Sequence, residues 1–510
     1  MGAAPGGIVD VGIATGSGFS GRSGAPHRSL WRVDVWQVGV LAACGVATRL
    51  ALLGDPAITG DEQFYLLMGD RLWRGALPFV DIWDRKPIGL FLLYALLRPF
   101  SPAGVVAYQV AALCFAVATA CVIARIATRI ANPPAATMAG AIYLLYLPVM
   151  GGGGGQAPVF YNLFTAVAAL LTVRALEPAG ARRLWRDGSA AMLLVGLAMQ
   201  VKYMALFEGA AMGLAFLWAH WRERPRAVAV TRFAACLIAA ALAPSLVVFC
   251  VYWMGGHGAE FFFANVTSIF LKRNPPDFSG YALLEYAVIR MAPILFIAAV
   301  AVGGTVARGL SAPVVNFTLL WAAFTLAEFF ALGRYFDHYA IPLLMPLSIL
   351  IATLFVWPPM AAAASATLVL FAATFTPMLS RERTRENESR IADLTAALSP
   401  YARRGCIYVN DGPPILYLTT ASCLPSRFVF PGHLTDAEEA LATDAAASMA
   451  ALLRTRPSAI VMGGTERIMP RNRETAFLVQ RALEADYRLT SVLPGIGSRQ
   501  QMIYVRNDLE

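Results

Sequence analysis

The chain has 510 residues, of which 58% are hydrophobic and only 14% are charged, and its mean hydropathy is +0.58. A soluble protein could not bury so much apolar surface, so the composition predicts a polytopic α-helical membrane protein. The net charge of +9 comes from basic residues clustered in short loops between apolar segments. That is the positive-inside pattern of membrane proteins, and it argues against nucleic acid as a partner.

The N-terminal residues 1–32 are rich in Gly and Ser and are predicted to form a disordered cytoplasmic tail. They do not read as a signal peptide, because the first apolar stretch follows them without a small-residue cleavage site. The first span is predicted over Val35–Leu53, so the stretch Thr59–Pro87 after it emerges outside. Three basic residues before the span hold the N-terminus in the cytoplasm: Arg22, Arg28 and Arg32.

The apolar run Ile88–Phe100 decides the topology. It is too short to cross a hydrocarbon core of roughly 30 Å, so we predict a helix at the outer surface. The Arg clusters between later spans then all lie inside. This predicts a membrane domain over 33–380, with a first outer loop at 54–104. The eleven predicted spans are about Val35–Leu53, Val105–Ala124, Ala135–Val149, Phe160–Leu176, Ala190–Ala205, Leu206–Trp218, Ala229–Met254, Leu283–Val306, Val314–Leu332, Tyr339–Val356 and Ala361–Met378.

From residue 381 the composition changes to short apolar runs with polar spacers, which predicts an extracytoplasmic α/β domain over 381–510. Cys406 and Cys423 could pair in an oxidising compartment, although their spacing alone does not show it. No catalytic constellation is apparent in this domain. The predicted strands are Cys406–Val409, Arg427–Phe430, Ala459–Met462, Leu489–Leu493 and Met502–Val505, and the predicted helices are Ala437–Arg454 and Glu474–Ala485.

The first outer loop carries the candidate catalytic pair, Asp61 and Glu62, at the start of a predicted helix with Thr59 as a possible N-cap. One interpretation is that both acids favour the positive end of that helix. The functional interpretation is that one accepts a proton from an attacking hydroxyl and that both bind a divalent cation, Mg²⁺ or Mn²⁺. Asp81 and Asp84, further along the loop, are expected to be structural.

Several basic residues lie at the outer ends of spans, against the positive-inside trend, which indicates anionic partners. A phosphate at the membrane surface is one possible partner, and the acids Glu208, Glu285 and Glu328 are another. Lys86 could equally be an interfacial lysine that reaches toward water. Lys272 and Arg273, before Asn274-Pro275-Pro276, could be merely solvated. The candidate phosphate-binding residues are Lys86, Lys202, Arg290, Arg334 and His338.

The first outer loop resembles that of the bacterial protein O-mannosyltransferase-like glycosyltransferases, which have the GT-C fold and include the lipid A aminoarabinose transferase. The likeness spans about residues 35–380. It rests on Asp61-Glu62, Tyr65, the Gly75–Pro78 segment, Asp81 and Lys86-Pro87, and on the later GRYFDHYAIPLLMP with Arg334, His338 and Tyr339.

The resemblance implies a polyprenyl-phosphate sugar donor, an active site on the outer face of a bacterial inner membrane, and inversion at the sugar carbon. It implies Asp61 as general base with Glu62 in support, and Lys86 and Lys202 near the donor phosphate. Tyr65, Arg290, Arg334, His338 and Tyr339 are expected to bind substrate. The chain departs from the family at Ile88, where a second Pro is common. It also departs after the third span, where Gln156 and Asn162 replace an acid that some members have.

Three hypotheses remain open. The first is a lipid-linked sugar transferase with a glycan, lipid or protein acceptor. The second is a transporter or flippase of a lipid-linked sugar, which predicts charges along a crossing path and an internal repeat. The third is a receptor or assembly protein acting through residues 381–510. The concentration of charges at one face favours the transferase.

Overall fold

The computed structural model describes residues 34–101, 104–177, 180–273, 278, 280–308, 312–331, 333–376, 380–463, 469–497 and 499–509. The tail predicted over residues 1–32 and the segment Asn274-Pro275-Pro276 lie outside these ranges.

The part before residue 380 is built from apolar helices with short connections. They are α1 (Val35–Arg49), α2 (Gly60–Trp73), α3 (Ile88–Leu97), α4 (Val105–Ala127), α5 (Pro133–Val149), α6 (Ala157–Ala175), α7 (Gly180–Met199), α8 (Ala205–Glu223), α9 (Ala227–Met254), α10 (Gly258–Phe262), α11 (Ser268–Leu271), α12 (Tyr281–Ala307), α13 (Pro313–Ala331), α14 (Leu344–Ile351) and α15 (Pro358–Phe375). Leu50–Leu52, Arg98–Phe100 and Asp337–Leu343 form 3-10 turns, and Phe263–Thr267 forms a π-helical turn.

Each of the eleven predicted spans falls on one of these helices, the tenth on the 3-10 turn that leads into α14. Seven described helices are long and apolar enough to cross a membrane by length and composition. The predicted multi-pass helical fold is therefore confirmed. α7 begins at Gly180 and α8 continues to Glu223, further than predicted at those ends, because helix continues beyond the apolar part into the basic loops.

The run predicted to form a surface helix is helical as α3, which packs on α2 within the first outer loop. The two backbones approach closely at Gly69, where an added Cβ would lie 2.7 Å from the Ala95 nitrogen. Phe64 of α2 and Phe91 of α3 meet edge to face at 6.5 Å. Loop residues therefore form a buried layer, with a fixed position for α2.

The C-terminal part contains a four-stranded sheet flanked by helices. The sheet order is β1-β2-β4-β3, with β1 and β2 parallel and the other pairs antiparallel. Its elements are α16 (Glu382–Ala402), β1 (Ile407–Val409), α17 (Leu416–Thr419), α18 (Gly432–Thr435), the 3-10 turn Ala437–Glu439, α19 (Ala440–Thr443), α20 (Ala445–Arg454), β2 (Ala459–Gly463), α21 (Arg473–Asp486), β3 (Tyr487–Pro494) and β4 (Gln500–Arg506).

Two predictions for this part are wrong. Arg427–Phe430 is not a strand, because its backbone contacts the first outer loop, where the Arg427 carbonyl accepts a hydrogen bond from the Trp83 amide at 2.9 Å. The helix predicted over Ala437–Arg454 is interrupted at Asp444, whose φ is +44°. Helix α16 was not predicted. Cys406 and Cys423 form a disulfide.

The C-terminal part is fixed to the first outer loop through α16 as well. The Asn387 amide donates to both carboxylate oxygens of Asp55 at 3.0 Å, and the Thr384 hydroxyl donates to the Ala51 carbonyl at 2.6 Å. Asp55 is fully buried, so these bonds offset the cost of its burial. This attachment places the C-terminal part over the start of α2.

Candidate active site

A cavity of about 640 Å³ lies between the membrane helices and the C-terminal part. Seven of the nine predicted site residues line it. Its walls come from the first outer loop, the start of α6, the α7–α8 junction, the turn before α14 and the C-terminal part. The polar, charged and aromatic residues of the lining include Asp61, Tyr65, Asp84, Arg85, Lys86, Gln156, Lys202, Lys272, Arg334, His338, Tyr339, Phe430, His433, Glu438 and Glu439.

Asp61 reaches the cavity from the first turn of α2, which begins at the N-cap Thr59, whose hydroxyl accepts the Glu62 amide at 3.3 Å. The Asp61 carboxylate lies 3.5 Å from the Lys86 ammonium and accepts a hydrogen bond from the Gln156 amide at 3.4 Å. Burial raises the pKa of Asp61, but Lys86, His338 and Gln156 outweigh burial and hold it below its usual value. Asp61 is therefore an ionised carboxylate at neutral pH.

Glu62 does not line the cavity. Successive helix residues point about 100° apart, and Glu62 is fully buried against the glycine-rich segment that follows α5. A Cβ added to Gly154 would lie 2.8 Å or less from both carboxylate oxygens. Burial raises the pKa of Glu62 to about 7, against the opposing effect of the Gly155 amide and the Tyr108 hydroxyl. Its predicted role beside Asp61 can only be indirect.

Lys86 lies between two carboxylates. Its ammonium is 3.5 Å from Asp61 and 3.5 Å from Asp84, and 5.0 Å from the centre of the Tyr65 ring. Burial lowers the pKa of Lys86, but the two carboxylates outweigh burial and raise it above its usual value. Lys86 is not the solvated interfacial lysine of the alternative interpretation. Asp84, expected to be structural, lines the cavity.

Lys202 lies at the α7–α8 junction with its ammonium 4.2 Å from the centre of the Tyr339 ring. Among the described residues, no carboxylate lies within ion-pair distance of it. Two of the three internal acids proposed as partners of the outer cations make other contacts: Glu208 accepts the Trp321 indole at 2.7 Å, and Glu328 accepts the Tyr161 hydroxyl at 3.3 Å.

Arg334 faces the cavity but is paired with the C-terminal part. It contacts Glu438, which also accepts the Lys272 ammonium at 3.0 Å. Lys272 lies 2.7 Å from Glu439, and Glu439 forms a two-point ion pair with Arg85. We call Arg85, Lys272, Arg334, Glu438 and Glu439 the charge cluster. The interpretation of Lys272 as a solvated residue is thus wrong, because its side chain is 22% exposed and doubly paired.

Arg290 does not line the cavity. Its guanidinium donates to the Val149 carbonyl at 2.6 Å and pairs with Asp337 at 3.0 Å. Asp337 in turn accepts the His338 amide at 2.7 Å and lies 3.6 Å from the His338 ring nitrogen. Arg290 therefore forms its ion pair with Asp337, in the turn before α14. Its connection to the cavity is indirect, because Asp337 also contacts His338, which lines the cavity.

The predicted metal ligands do not form a chelating pair in this arrangement. Lys86 occupies one side of Asp61, and Glu62 points away from the cavity toward Gly154. In the described ranges, no three His, Cys, Asp or Glu residues come together as a metal site. Asp61 and Glu62 therefore do not fit a shared Mg²⁺ or Mn²⁺ ion in this arrangement.

Sequence reasoning missed four contributions to the site. Arg85 was passed over beside Lys86, and Glu438-Glu439 was included within a predicted helix. His433 lay in a segment with no recognised motif. Adjacent acids at a helix start were a usable signal for Glu438 and Glu439, as they were for Asp61. His433 carried no signal, since its neighbours come from other segments.

This architecture places the chain in the class of multi-pass helical membrane proteins, with a cavity lined by ionisable residues at the junction with a small α/β domain. Residues 84–253 match the family model described as dolichyl-phosphate-mannose-protein mannosyltransferase. No curated protein sequence matches the chain significantly.

The structure of ArnT from Cupriavidus metallidurans bound to undecaprenyl phosphate is similar over 92% of this chain and 98% of that chain, with a TM-score of 0.61 and 13% identity. The apo state of that ArnT is similar over 92% of this chain and 97% of that chain, with a TM-score of 0.60 and 13% identity. AglB from Archaeoglobus fulgidus, an archaeal oligosaccharyltransferase, is similar over 84% of this chain and 69% of that chain, with a TM-score of 0.49 and 9% identity. The chain therefore has the ArnT-like GT-C fold, and the predicted resemblance is confirmed.

Proposed function

We propose that this protein transfers a sugar from a polyprenyl-phosphate donor to an acceptor hydroxyl at the outer face of the membrane, with inversion at the sugar carbon. The observation that carries the proposal is the shared cavity, in which the ionised Asp61 faces Lys86 and Lys202. The ArnT structure that this chain resembles is bound to undecaprenyl phosphate, a lipid of the proposed donor class. Glycan, lipid and protein acceptors all remain candidates.

In the proposed reaction, Asp61 accepts the proton of the acceptor hydroxyl as its oxygen attacks the anomeric carbon. The bond between that carbon and the phosphate oxygen breaks on the opposite face, which inverts the configuration. The electron pair leaves with the polyprenyl phosphate, whose charge changes from −1 to −2. The low pKa of Asp61 keeps it ionised and ready to accept the proton.

The two lysines stabilise the leaving phosphate to different degrees. The charge of Lys86 is shared with Asp61 and Asp84, each 3.5 Å away. Lys202 has no such carboxylate among the described residues, so more of its charge is available to the phosphate. A phosphate bound beside Lys202 would also favour its protonated form. Tyr65 and Tyr339, under the two ammonium groups, limit where these groups can move.

The orientation is part of the proposal. The Arg clusters between spans favour one side as cytoplasmic, and the cavity lies at the other ends of the helices. The Cys406–Cys423 disulfide in the C-terminal part is typical of an oxidising compartment. Both features support an outer-face reaction in a bacterial inner membrane, where the donor lipid lies among the membrane lipids.

Purified protein in lipid nanodiscs, given a polyprenyl-phosphate sugar, should release polyprenyl phosphate. Asp61→Asn should slow release by about 100-fold to 10,000-fold, the usual contribution of a general base. Asp81→Asn is the matched control, because Asp81 is exposed and only accepts the Leu77 amide within its turn. If the Asp61 variant releases polyprenyl phosphate at the parent rate, the assignment of the base is wrong. Movement of labelled lipid across vesicles without release would instead indicate a flippase.

A further inference from the structure

A chain of charged and polar groups leads from Asp61 into the C-terminal part. The Lys86 ammonium is 3.5 Å from an oxygen of Asp61 and 3.5 Å from Oδ2 of Asp84. The same Asp84 oxygen lies 3.7 Å from Nε2 of His433, in α18. Four side chains thus connect the proposed base to a residue more than 300 positions later in the chain.

Asp84 is held firmly but has one oxygen available. Its Oδ1 accepts the backbone amides of Arg85 and Lys86, at 2.6 and 2.9 Å. Its side chain is 2% exposed. Within the described part of the chain, Oδ2 makes no hydrogen bond and faces only Lys86 and His433. A buried carboxylate oxygen is costly without such partners, so its orientation depends on them.

His433 is fixed by aromatic packing. Its ring is 4.8 Å from Trp83, 5.2 Å from Phe430 and 5.9 Å from Phe64, and the residue is 5% exposed. Burial lowers the pKa of His433 to about 4, although Asp84 opposes the shift. The imidazole is therefore neutral at pH 7. It can present an N–H to Asp84 without adding a charge that competes with Lys86.

We propose that Asp84 and His433 are positioning residues for the sugar transfer, with His433 orienting Asp84 and Asp84 holding Lys86 between the base and the donor phosphate. This inference rests on the proposed function. Lysine has a flexible stem and a point charge, so its position needs an external restraint. Without Asp84, Lys86 would move toward Asp61 and away from the phosphate.

The arrangement has a chemical consequence during the reaction. When Asp61 takes the acceptor proton it becomes neutral, and its attraction for Lys86 falls. At the same stage the departing phosphate gains a negative charge. Lys86, still held by Asp84, can then direct its charge to the phosphate, where it stabilises the transition state. After proton transfer, more of the positive charge of Lys86 is therefore available to the phosphate than before it, although the contacts with Asp61 and Asp84 are the same.

The test is a double-mutant cycle on release of polyprenyl phosphate. His433→Phe and Asp84→Asn should each lower kcat by about 10-fold to 100-fold, the effect of losing one polar contact to a charged group. The donor KM should stay near the parent value. The double variant should match Asp84→Asn, because His433 acts only through Asp84. His433→Gln keeps an N–H donor and should recover most of the loss.

The matched control is His220→Phe. His220 is also a buried imidazole among aromatic rings, 4.8 Å from Phe233, and its ring nitrogens have no hydrogen-bond partner in the described chain. Its substitution should change kcat by less than about twofold. If His433→Phe does not fold, His433→Leu, which also lacks an N–H donor, replaces it in the cycle.

Two results would overturn the inference: losses that multiply in the double variant, or a parent-like kcat for both Asp84→Asn and the His433 variant. A parent protein that releases no polyprenyl phosphate from any donor would refute the proposed function instead. The two failures are therefore distinguishable.

Discussion

The charge cluster gives the sharpest prediction about how the C-terminal part is attached. Glu439 and Arg85 have side chains 6% and 16% exposed, and they belong to the C-terminal part and the first outer loop. Removing one partner of a buried ion pair costs about 3–5 kcal/mol. Because Arg85 faces the cavity and Lys272 keeps its contact with Glu438, we expect Glu439→Gln to cost about 2–3 kcal/mol.

That cost should appear as loosened docking. The Trp83 amide, bonded to the Arg427 carbonyl across the same boundary, should exchange its hydrogen about 30-fold to 150-fold faster in the variant. Hydrogen–deuterium exchange of the peptide that contains Trp83 measures this directly. Asp486→Asn is the control, because its pair with Arg456 is about half exposed and should contribute at most about 1 kcal/mol.

A double variant distinguishes an ion pair from simple packing. Arg85→Met combined with Glu439→Met leaves neither charge buried alone, so it should loosen the boundary less than the sum of the single variants. Parent-like exchange in Glu439→Gln, or strict additivity in the double variant, would refute the reasoning.

Three further predictions concern the cavity. Because no described carboxylate pairs with Lys202, Lys202→Met should lower kcat by about 100-fold to 1,000-fold, whereas Lys202→Arg, which keeps the charge, should lose less; a parent-like kcat for Lys202→Met would exclude Lys202 from stabilising the phosphate. Gly154→Ala should displace the Glu62 carboxylate, lower the free energy of unfolding by about 1–3 kcal/mol and lower turnover. Gly213→Ala is the control, because the space around Gly213 is open and the substitution should not destabilise the protein. Equal melting temperatures for the parent and Gly154→Ala would contradict this prediction. Finally, since Lys86 already faces Asp61, EDTA should leave release of polyprenyl phosphate unchanged; activity lost on chelation and restored by Mn²⁺ would support the metal prediction.

The spans and half of the basic residues that line the cavity were predictable because each depends on a local signal. Apolar length located the membrane helices, and the positive-inside rule made Lys202, Arg334 and His338 conspicuous at the opposite ends. Together with the acidic pair and the family resemblance, this signal located seven residues that line the cavity, of the nine predicted.

The failures come from partners distant in sequence. Arg290 was correctly identified as unusual, but its partner Asp337 is 47 positions away, in a turn whose direction periodicity does not specify. Glu62 was grouped with Asp61 because they are adjacent, whereas helix geometry turns them toward different surroundings. The segment Arg427–Phe430 has the aromatic and β-branched residues typical of a strand, but its backbone contacts the first outer loop.

The charge cluster also bears on biosynthesis. Glu439 lies 354 positions after Arg85, and His433 and Phe430 are encoded equally late. A nascent chain that has inserted its membrane helices already carries Asp61, Lys86 and Lys202, but the opposite wall of the cavity is missing until the last segment has been synthesised and folded. Maturation of the protein and completion of its reaction site are therefore the same event.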